Sequence, residues 1–248
     1  MSVSLAEHFY SIQGEGITIG VPSVFLRLRG CNLTCGGGTT VTDGKFHNGA
    51  TWRCDTIEVW LKGKKKTNKE LFELLVAEGY HEKLLAGAHL VITGGEPLLQ
   101  MDELEEFIQY LDSLNGGKVF IEVETNGTVL PCLYLANRVN QWNVSPKLKN
   151  SGIEEGLRIN KNAIDYFAAC NNSIFKFVIS NEEDLIEAQA SYIHPFSIRV
   201  KSVYLMPATD TKESLDKIFV QIAELAKKYC YRLTNRMHLQ LWDRKTGV

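Results

Sequence analysis

The stretch AHLVITGGEPLLQMDELEEFIQYLDSLNGGKVFIEVETNG, residues 88–127, decides the fold. Its first part, AHLVITGG (88–95), is an apolar run that enters a glycine turn, which is typical of a buried strand. MDELEEFIQYLDSLNGG (101–117) has the apolar spacing of an amphipathic helix, and Asn-Gly-Gly ends it. KVFIEVETNG (118–127) is a second strand that ends at a turn. This order predicts two parallel strands joined by a crossover helix.

The same alternation continues along most of the chain. Further strands are predicted at 24–30, 141–147, 173–180, 197–207 and within 231–242. Further helices are predicted at 67–80, 160–172, 182–193 and 211–230, whereas 31–66 has no clear period and is interpreted as loop. About six strand–helix steps with no repeat and no linker predict a single α/β domain over 1–248. Because a closed barrel needs eight such steps, we expect a partial, open β/α barrel with a mostly parallel sheet.

Composition excludes several classes of protein. The net charge of the 248-residue chain is −2, so there is no electrostatic case for a nucleic-acid partner. No apolar run approaches the ~20 residues that span a bilayer, and the first residues do not resemble a secretory signal. We therefore expect a cytoplasmic protein without membrane contact, whose six cysteines are mostly reduced.

Five short motifs lie at the carboxyl ends of the predicted strands. They are RGC (29–31), TGGEP (93–97), ETNG (124–127), SPK (145–147) and LMP (205–207). In parallel α/β sheets the catalytic and ligand-binding residues lie at the carboxyl ends of the strands. These motifs are therefore expected at one common rim.

Three cysteines lie in polar or glycine-rich sequence where no core face is visible: Cys31, Cys35 and Cys54. Three thiolates leave a fourth coordination position. A structural zinc site would fill it with a protein ligand, for which His47 is available, whereas an iron–sulfur cluster would keep one iron open. Spacing alone favours neither. The other three cysteines fit helical patterns as small buried residues: Cys132, Cys170 and Cys230.

The motifs carry a family resemblance. GCNLTC (30–35) after a strand, CDT (54–56) and TGGEP (93–97) resemble the radical S-adenosylmethionine enzymes. More narrowly, the chain is similar to the 7-carboxy-7-deazaguanine synthase family from about residue 7 to 150, and weakly at the terminal RMHLQLW. The stretches that carry this likeness also include FYSIQGEG (9–16), PSVFLRLRGCNLTC (22–35), TGGEPLLQ (93–100), ETNGT (124–128) and SPK (145–147).

The resemblance implies a [4Fe–4S] cluster held by Cys31, Cys35 and Cys54. The usual family motif places its third cysteine at the position of Gly38; because CDT resumes at Cys54, we interpret 36–53 as an inserted loop, which closure entropy tolerates. The open iron would bind S-adenosylmethionine. The residues expected to bind this cofactor are Gly94, Gly95, Glu96, Glu124, Asn126, Ser145, Pro146 and Lys147.

The resemblance also implies a lyase that converts 6-carboxy-5,6,7,8-tetrahydropterin to 7-carboxy-7-deazaguanine with loss of ammonia. The residues expected to contact this pterin are Ile12, Gln13, Gly14, Glu15, Arg27 and Thr93. The Arg27 fork suits a carboxylate, and Arg29 is its rival. Thr56 would help to hold Mg²⁺, although it could instead cap the next turn.

The family further implies a homodimer and an electron donor such as flavodoxin. Two alternatives remain at the level of the sequence. One is another radical enzyme, such as a glycyl-radical activase, which would not need IQGEG, Arg27 and Thr56. The other is a non-enzymatic binding domain in which zinc is held by the three cysteines and His47.

Overall fold

The computed structural model describes residues 1–37, 46–245 and 247–248. Part of the predicted insertion 36–53 therefore lies outside the described residues. Within the described chain, nine strands form one sheet. They are β1 (Ser2–Ile12), β2 (Pro22–Leu28), β3 (Lys64–Thr67), β4 (His89–Gly94), β5 (Ile121–Thr125), β6 (Gln141–Val144), β7 (Ser173–Ile179), β8 (Val203–Pro207) and β9 (Arg232–Leu233).

The strands lie in the order β3-β1-β2-β4-β5-β6-β7-β8-β9. From β2 to β9 every neighbouring pair is parallel, whereas β1 is antiparallel to both β2 and β3. The first and last strands do not pair with each other, so the sheet is open. The predicted α/β architecture with a mostly parallel, partial barrel is confirmed.

Ten helices cover the sheet in the part of the chain that the structure describes. They are α1 (Ile57–Trp60), α2 (Asn68–Ala77), α3 (Tyr80–Leu85), α4 (Met101–Asn115), α5 (Leu133–Arg138), α6 (Glu155–Arg158), α7 (Lys161–Ala169), α8 (Glu182–Ala188), α9 (Lys212–Tyr229) and α10 (Met237–Trp242). Their apolar faces and the strands bury one continuous core that includes Phe107, Trp142, Phe167 and Phe177. None of these helices combines the length and the apolar character needed to cross a membrane.

Local sequence signals fix two helix boundaries. Thr67 caps α2 in a reciprocal capping box, in which its side chain accepts from the Glu70 amide and the Glu70 carboxylate accepts from the Thr67 amide. Helix α4 ends at Gly116, whose φ of 63° lies in the left-handed region that favours glycine. Because the chain enters β5 directly after α4, the end of α4 helps to set where the motif ETNG lies.

Several regions differ from the sequence prediction. Strand β1 has no predicted counterpart, because only Val3 and Leu5 are buried along it and no alternation is visible. The lysine run at 64–66, interpreted as part of a turn, is the edge strand β3, which main-chain pairing with β1 holds in place. The terminal RMHLQLW, predicted as strand, is α10, and the strand predicted over 197–207 begins only at Val203.

Candidate active site

A cavity of about 830 Å³ opens at the carboxyl ends of the parallel strands. Strand ends and the loops that follow them line it, as the sequence analysis expected of the motifs. The predicted site residues that line it are Ile12, Gln13, Gly14, Glu15, Arg27, Cys31, Cys35, Cys54, Thr56, Thr93, Gly94, Gly95, Glu124, Asn126, Ser145 and Lys147. Glu96 and Pro146 are buried behind this surface.

The three predicted cysteine ligands lie on one wall of the cavity. The Cys54 amide donates to the Cys35 carbonyl at 3.1 Å, so the returning arm of the long loop lies beside the second cysteine. The side-chain nitrogen Nδ2 of Asn126 lies 3.9 Å from the Cys31 sulfur. Burial raises the pKa of the Cys35 thiol to about 11 and also raises that of Cys31. Metal binding to these thiols therefore has to release protons.

The donor set fits an iron–sulfur cluster better than zinc. His47, the fourth ligand of the zinc alternative, is exposed and does not line the cavity. Across residues 1–37, 46–245 and 247–248, no group of three or more His, Cys, Asp or Glu side chains could hold a single metal ion. A structural zinc site needs four ligands around one point, whereas three thiols without a fourth side chain suit a cluster with one open iron.

The two glycines of TGGEP make room for the chain that leads to Cys31. A Cβ atom on Gly95 would lie 2.6 Å from the Cys31 Cβ, and one on Gly94 would lie 2.6 Å from the Leu28 amide nitrogen. The Glu96 amide also donates to the Gly30 carbonyl at 2.9 Å. The glycines thus position Cys31. Both glycines also line the cavity, and their predicted contact with S-adenosylmethionine stays a prediction.

Glu96 organises the neighbouring loop from behind the cavity. Its carboxylate accepts hydrogen bonds from the Asn126 amide at 2.7 Å, the Leu98 amide at 3.0 Å and the Thr125 hydroxyl at 2.9 Å. The residue is 0% exposed, and this burial raises its pKa to about 7. Its predicted contact with S-adenosylmethionine stays a prediction, and the structure adds a role in shaping the ETNG loop.

The SPK motif is held from both of its ends. The Ser145 amide donates to the Thr125 carbonyl at 2.8 Å, and the Lys147 ammonium donates to the Ser145 hydroxyl at 3.1 Å. The Lys147 carbonyl accepts from Arg158 at 3.1 Å and from the Tyr192 hydroxyl at 2.8 Å. These bonds present Ser145 and Lys147 to the cavity on a fixed backbone.

Arg27 lines the cavity and its rival does not. The Arg27 Nε donates to the Glu7 carboxylate at 2.6 Å, which orients the guanidinium group. Arg29 is exposed and does not line the cavity. Its Cβ lies beside Gly63, 2.8 Å from the place where a Cβ on that glycine would be. Of the two arginines, Arg27 alone can face a ligand in the cavity.

Thr56 is the N-cap residue of α1, but its side chain makes no capping hydrogen bond. Its hydroxyl lines the cavity and lies 3.5 Å from the Cys54 sulfur. The alternative role of Thr56 as a helix cap therefore has no support in the structure. The hydroxyl is available to a ligand.

A group of charged residues that the sequence did not predict surrounds Glu15. The Glu15 carboxylate accepts from Lys176 at 2.8 Å and from Arg236 at 3.1 Å, and His238 lies 4.0 Å away. Burial alone would raise the pKa of Glu15, but Lys176 and Arg236 outweigh it and hold this pKa well below its usual range. The sequence did contain a signal for Lys176, because a charged residue inside the apolar run SIFKFVIS is unusual and indicates a buried, paired lysine.

A polar floor connects the predicted pterin-binding residues. The Thr93 hydroxyl donates to the Glu124 carboxylate at 2.8 Å. The side-chain amide of Gln13 donates to the same carboxylate at 3.3 Å. The Glu15 amide donates to the Gln13 side-chain oxygen at 3.2 Å. Donors and acceptors therefore alternate along one side of the cavity, which suits a flat ring that carries both.

Comparisons with known proteins show the family to which the chain is similar. A family model described as a 4Fe-4S single cluster domain matches residues 12–135. The 7-carboxy-7-deazaguanine synthase of Pyrobaculum aerophilum is 32% identical over 99% of this chain and 97% of its own length. That of Hyperthermus butylicus is 36% identical over 95% and 91%.

Among solved structures, the crystal structure of QueE from Escherichia coli superposes with a TM-score of 0.59. The alignment covers 94% of this chain and 93% of that one, at 23% identity. At this level of identity the superposition supports the fold.

Proposed function

The chain belongs to the 7-carboxy-7-deazaguanine synthase family, and on this premise we propose that it converts 6-carboxy-5,6,7,8-tetrahydropterin to 7-carboxy-7-deazaguanine with loss of ammonia. It is an enzyme of the radical S-adenosylmethionine type. The observation that carries the proposal is that one cavity joins the three cysteines to Gln13, Glu15 and Arg27. A glycyl-radical activase would need the cysteines but not these three residues.

The cluster end of the cavity would use Cys31, Cys35 and Cys54 as ligands. When bound, the [4Fe–4S] cluster and S-adenosylmethionine supply the radical that starts the reaction. The chain contributes orientation. Ser145 and Lys147 stand on a rigid backbone beside the cysteines, and the hydroxyl of Ser145 suits a ribose hydroxyl.

The pterin end would recognise both the ring and its carboxylate. Arg27 offers a planar fork to the carboxylate, and Glu7 fixes its direction. Glu15 remains ionised beside Lys176 and Arg236, so it can accept hydrogen bonds from ring N–H groups. A bound ring would also exclude water from the cavity, which protects reactive species from side reactions.

We further propose that Thr56 helps to hold Mg²⁺ next to the substrate carboxylate. Its hydroxyl faces the cavity without a capping role, and a hard oxygen donor suits this cation, which keeps several waters. The ion would neutralise charge on the carboxylate. The sequence resemblance supports the metal, and the position of Thr56 in the cavity lining supports the choice of residue.

Other parts of the proposal rest on the sequence alone, either on its pattern and composition or on the family resemblance. They are a single domain over 1–248 with 36–53 as an inserted loop, a homodimer, a flavodoxin-type electron donor and a cytoplasmic location. Size-exclusion chromatography with light scattering tests the dimer. Reduction by purified flavodoxin, compared with dithionite, tests the donor.

The decisive experiment is an anaerobic incubation of reconstituted protein with the pterin, S-adenosylmethionine, a reductant and Mg²⁺. Mass analysis should detect 7-carboxy-7-deazaguanine, and the protein should be brown and contain iron and sulfide. Cys54→Ala protein is the matched control and should form no product. A cluster-loaded protein that consumes no pterin would overturn the proposed reaction.

A further inference from the structure

Arg236 reaches two loops that the sequence separates widely. Its Nη2 donates to the Asp55 carboxylate at 2.6 Å, and its Nε donates to the Glu15 carboxylate at 3.1 Å. Its Nη1 donates to the carbonyl of Thr209, which follows β8. The guanidinium group is nearly buried, with 12% of the side chain exposed. All three nitrogens therefore have fixed partners.

The residues that follow Arg236 also pack against the loop that contains Glu15. The Met237 amide donates to the Gly14 carbonyl at 2.9 Å. A Cβ on Gly14 would lie 2.5 Å from the His238 ring nitrogen Nδ1, so the glycine lets the start of α10 lie directly on the IQGEG loop. The C-terminal segment is thus one wall of the cavity at the proposed pterin end.

Asp55 stands between two residues with proposed ligand roles, Cys54 and Thr56. An exposed aspartate on a loop has no fixed position of its own, and 43% of the Asp55 side chain is exposed. The bond from Arg236 is the fixed contact of this side chain. It ties the backbone on which the Thr56 hydroxyl stands to the carboxylate of Glu15.

We propose that Arg236 is a positioning residue that holds the Asp55–Thr56 loop at a fixed distance from Glu15, and thereby sets the site for the pterin and its metal ion. This inference rests on the proposed function, because that function assigns pterin binding to Glu15 and magnesium to Thr56. In this proposal Arg236 contacts neither the pterin nor the magnesium ion. It acts through the two carboxylates, which only a planar fork can reach together.

The first test compares wild-type enzyme with Arg236→Lys and Arg236→Gln, reconstituted under anaerobic conditions. Lysine keeps the charge but cannot bond both carboxylates and the Thr209 carbonyl at once. Since Arg236→Gln loses charge-assisted hydrogen bonds to both carboxylates, the KM for pterin should rise about tenfold or more. The magnesium concentration for half-maximal rate should rise too, while iron content and affinity for S-adenosylmethionine stay unchanged.

A double variant tests whether Arg236 acts through Asp55. Asp55→Asn alone should raise the pterin KM, and adding it to Arg236→Gln should have no further effect. Independent, multiplicative effects would overturn the inference, as would an equal loss of affinity for S-adenosylmethionine. If Arg236→Gln does not fold, Arg236→Lys combined with Asp55→Asn carries the same test.

Amide hydrogen exchange supplies a readout that does not depend on turnover. Residues 54–61 should exchange faster in Arg236→Gln than in the wild type. Arg138→Gln is the matched control, because Arg138 makes a bidentate ion pair with Asp112 at 2.7 and 2.8 Å away from the cavity. Unchanged exchange over 54–61 would overturn the inference. Absence of product from wild-type enzyme would instead overturn the proposed function.

Discussion

Replacing Glu96 with glutamine should change how the stability of the fold depends on pH. Glu96 is 0% exposed, and burial raises its pKa from 4.5 to about 7. The folded carboxyl group therefore keeps its proton up to about pH 7, whereas the unfolded one loses it near pH 4.5. Because the folded state binds more protons in this window, stability is fully present below the unfolded pKa and is lost as pH rises through the folded one.

The magnitude follows from the two pKa values. At about 1.36 kcal/mol per pH unit, the interval from 4.5 to about 7 corresponds to about 3 kcal/mol of unfolding free energy. Glutamine cannot ionise, so the variant lacks this contribution. The unfolding free energy of the wild type, minus that of Glu96→Gln, should fall between pH 5 and pH 8 by most of about 3 kcal/mol.

Urea unfolding of the cluster-free protein at pH 5 and pH 8 measures this difference. Glu73→Gln is the control for background pH effects, because Glu73 is exposed and pairs with Lys69 on the surface of α2. A wild-type-minus-variant difference that is equal at the two pH values would refute the reasoning. It would mean that the donors from Asn126, Leu98 and Thr125 keep the buried carboxylate ionised.

Three further predictions concern the cavity. Cys54→Ala should abolish cluster binding, measured as iron content, and near-normal iron would contradict its role as the third ligand. Arg27→Lys should raise the pterin KM about tenfold while the cluster stays intact, because lysine loses the fork that Glu7 orients. Thr56→Val should lower magnesium-stimulated turnover severalfold, and Thr56→Ser should restore most of it. Equal turnover of Thr56→Val and wild type would remove this residue from the metal site. The control variants for iron content are Cys132→Ala, Cys170→Ala and Cys230→Ala.

Much of the site could be predicted from the sequence because parallel strands align their carboxyl ends. The motifs TGGEP, ETNG and SPK each follow a predicted strand, and the strand before TGGEP is a continuous apolar run. Placing those strands in one parallel sheet therefore placed the motifs around one cavity. The prediction needed no knowledge of side-chain contacts, since the backbone topology alone brings Thr93, Glu124 and Ser145 together.

The elements that the sequence did not predict are those whose conformation depends on tertiary contacts and not on the local pattern of apolar residues. The lysines of β3 have no apolar face, and their strand exists because β1 offers a free edge for pairing. RMHLQLW contains apolar residues that fit either period, and docking on the IQGEG loop selects the helix. Tertiary contacts made these choices, so a local reading of the sequence had no basis for them.

The charged group around Glu15 shows a second limit, which has a functional consequence. Lys176 and Arg236 lie 161 and 221 residues from Glu15 along the chain, so no spacing rule connects them. Yet a carboxylate enclosed at the base of this cavity remains an anion only if cations accompany it. Strand β7 supplies one cation and the C-terminal segment the other. It follows that Glu15 acquires its state as a hydrogen-bond acceptor only when the last elements of the chain are in place. The proposed pterin end of the cavity is therefore a product of the whole fold, whereas the cysteine wall depends on neighbouring loops.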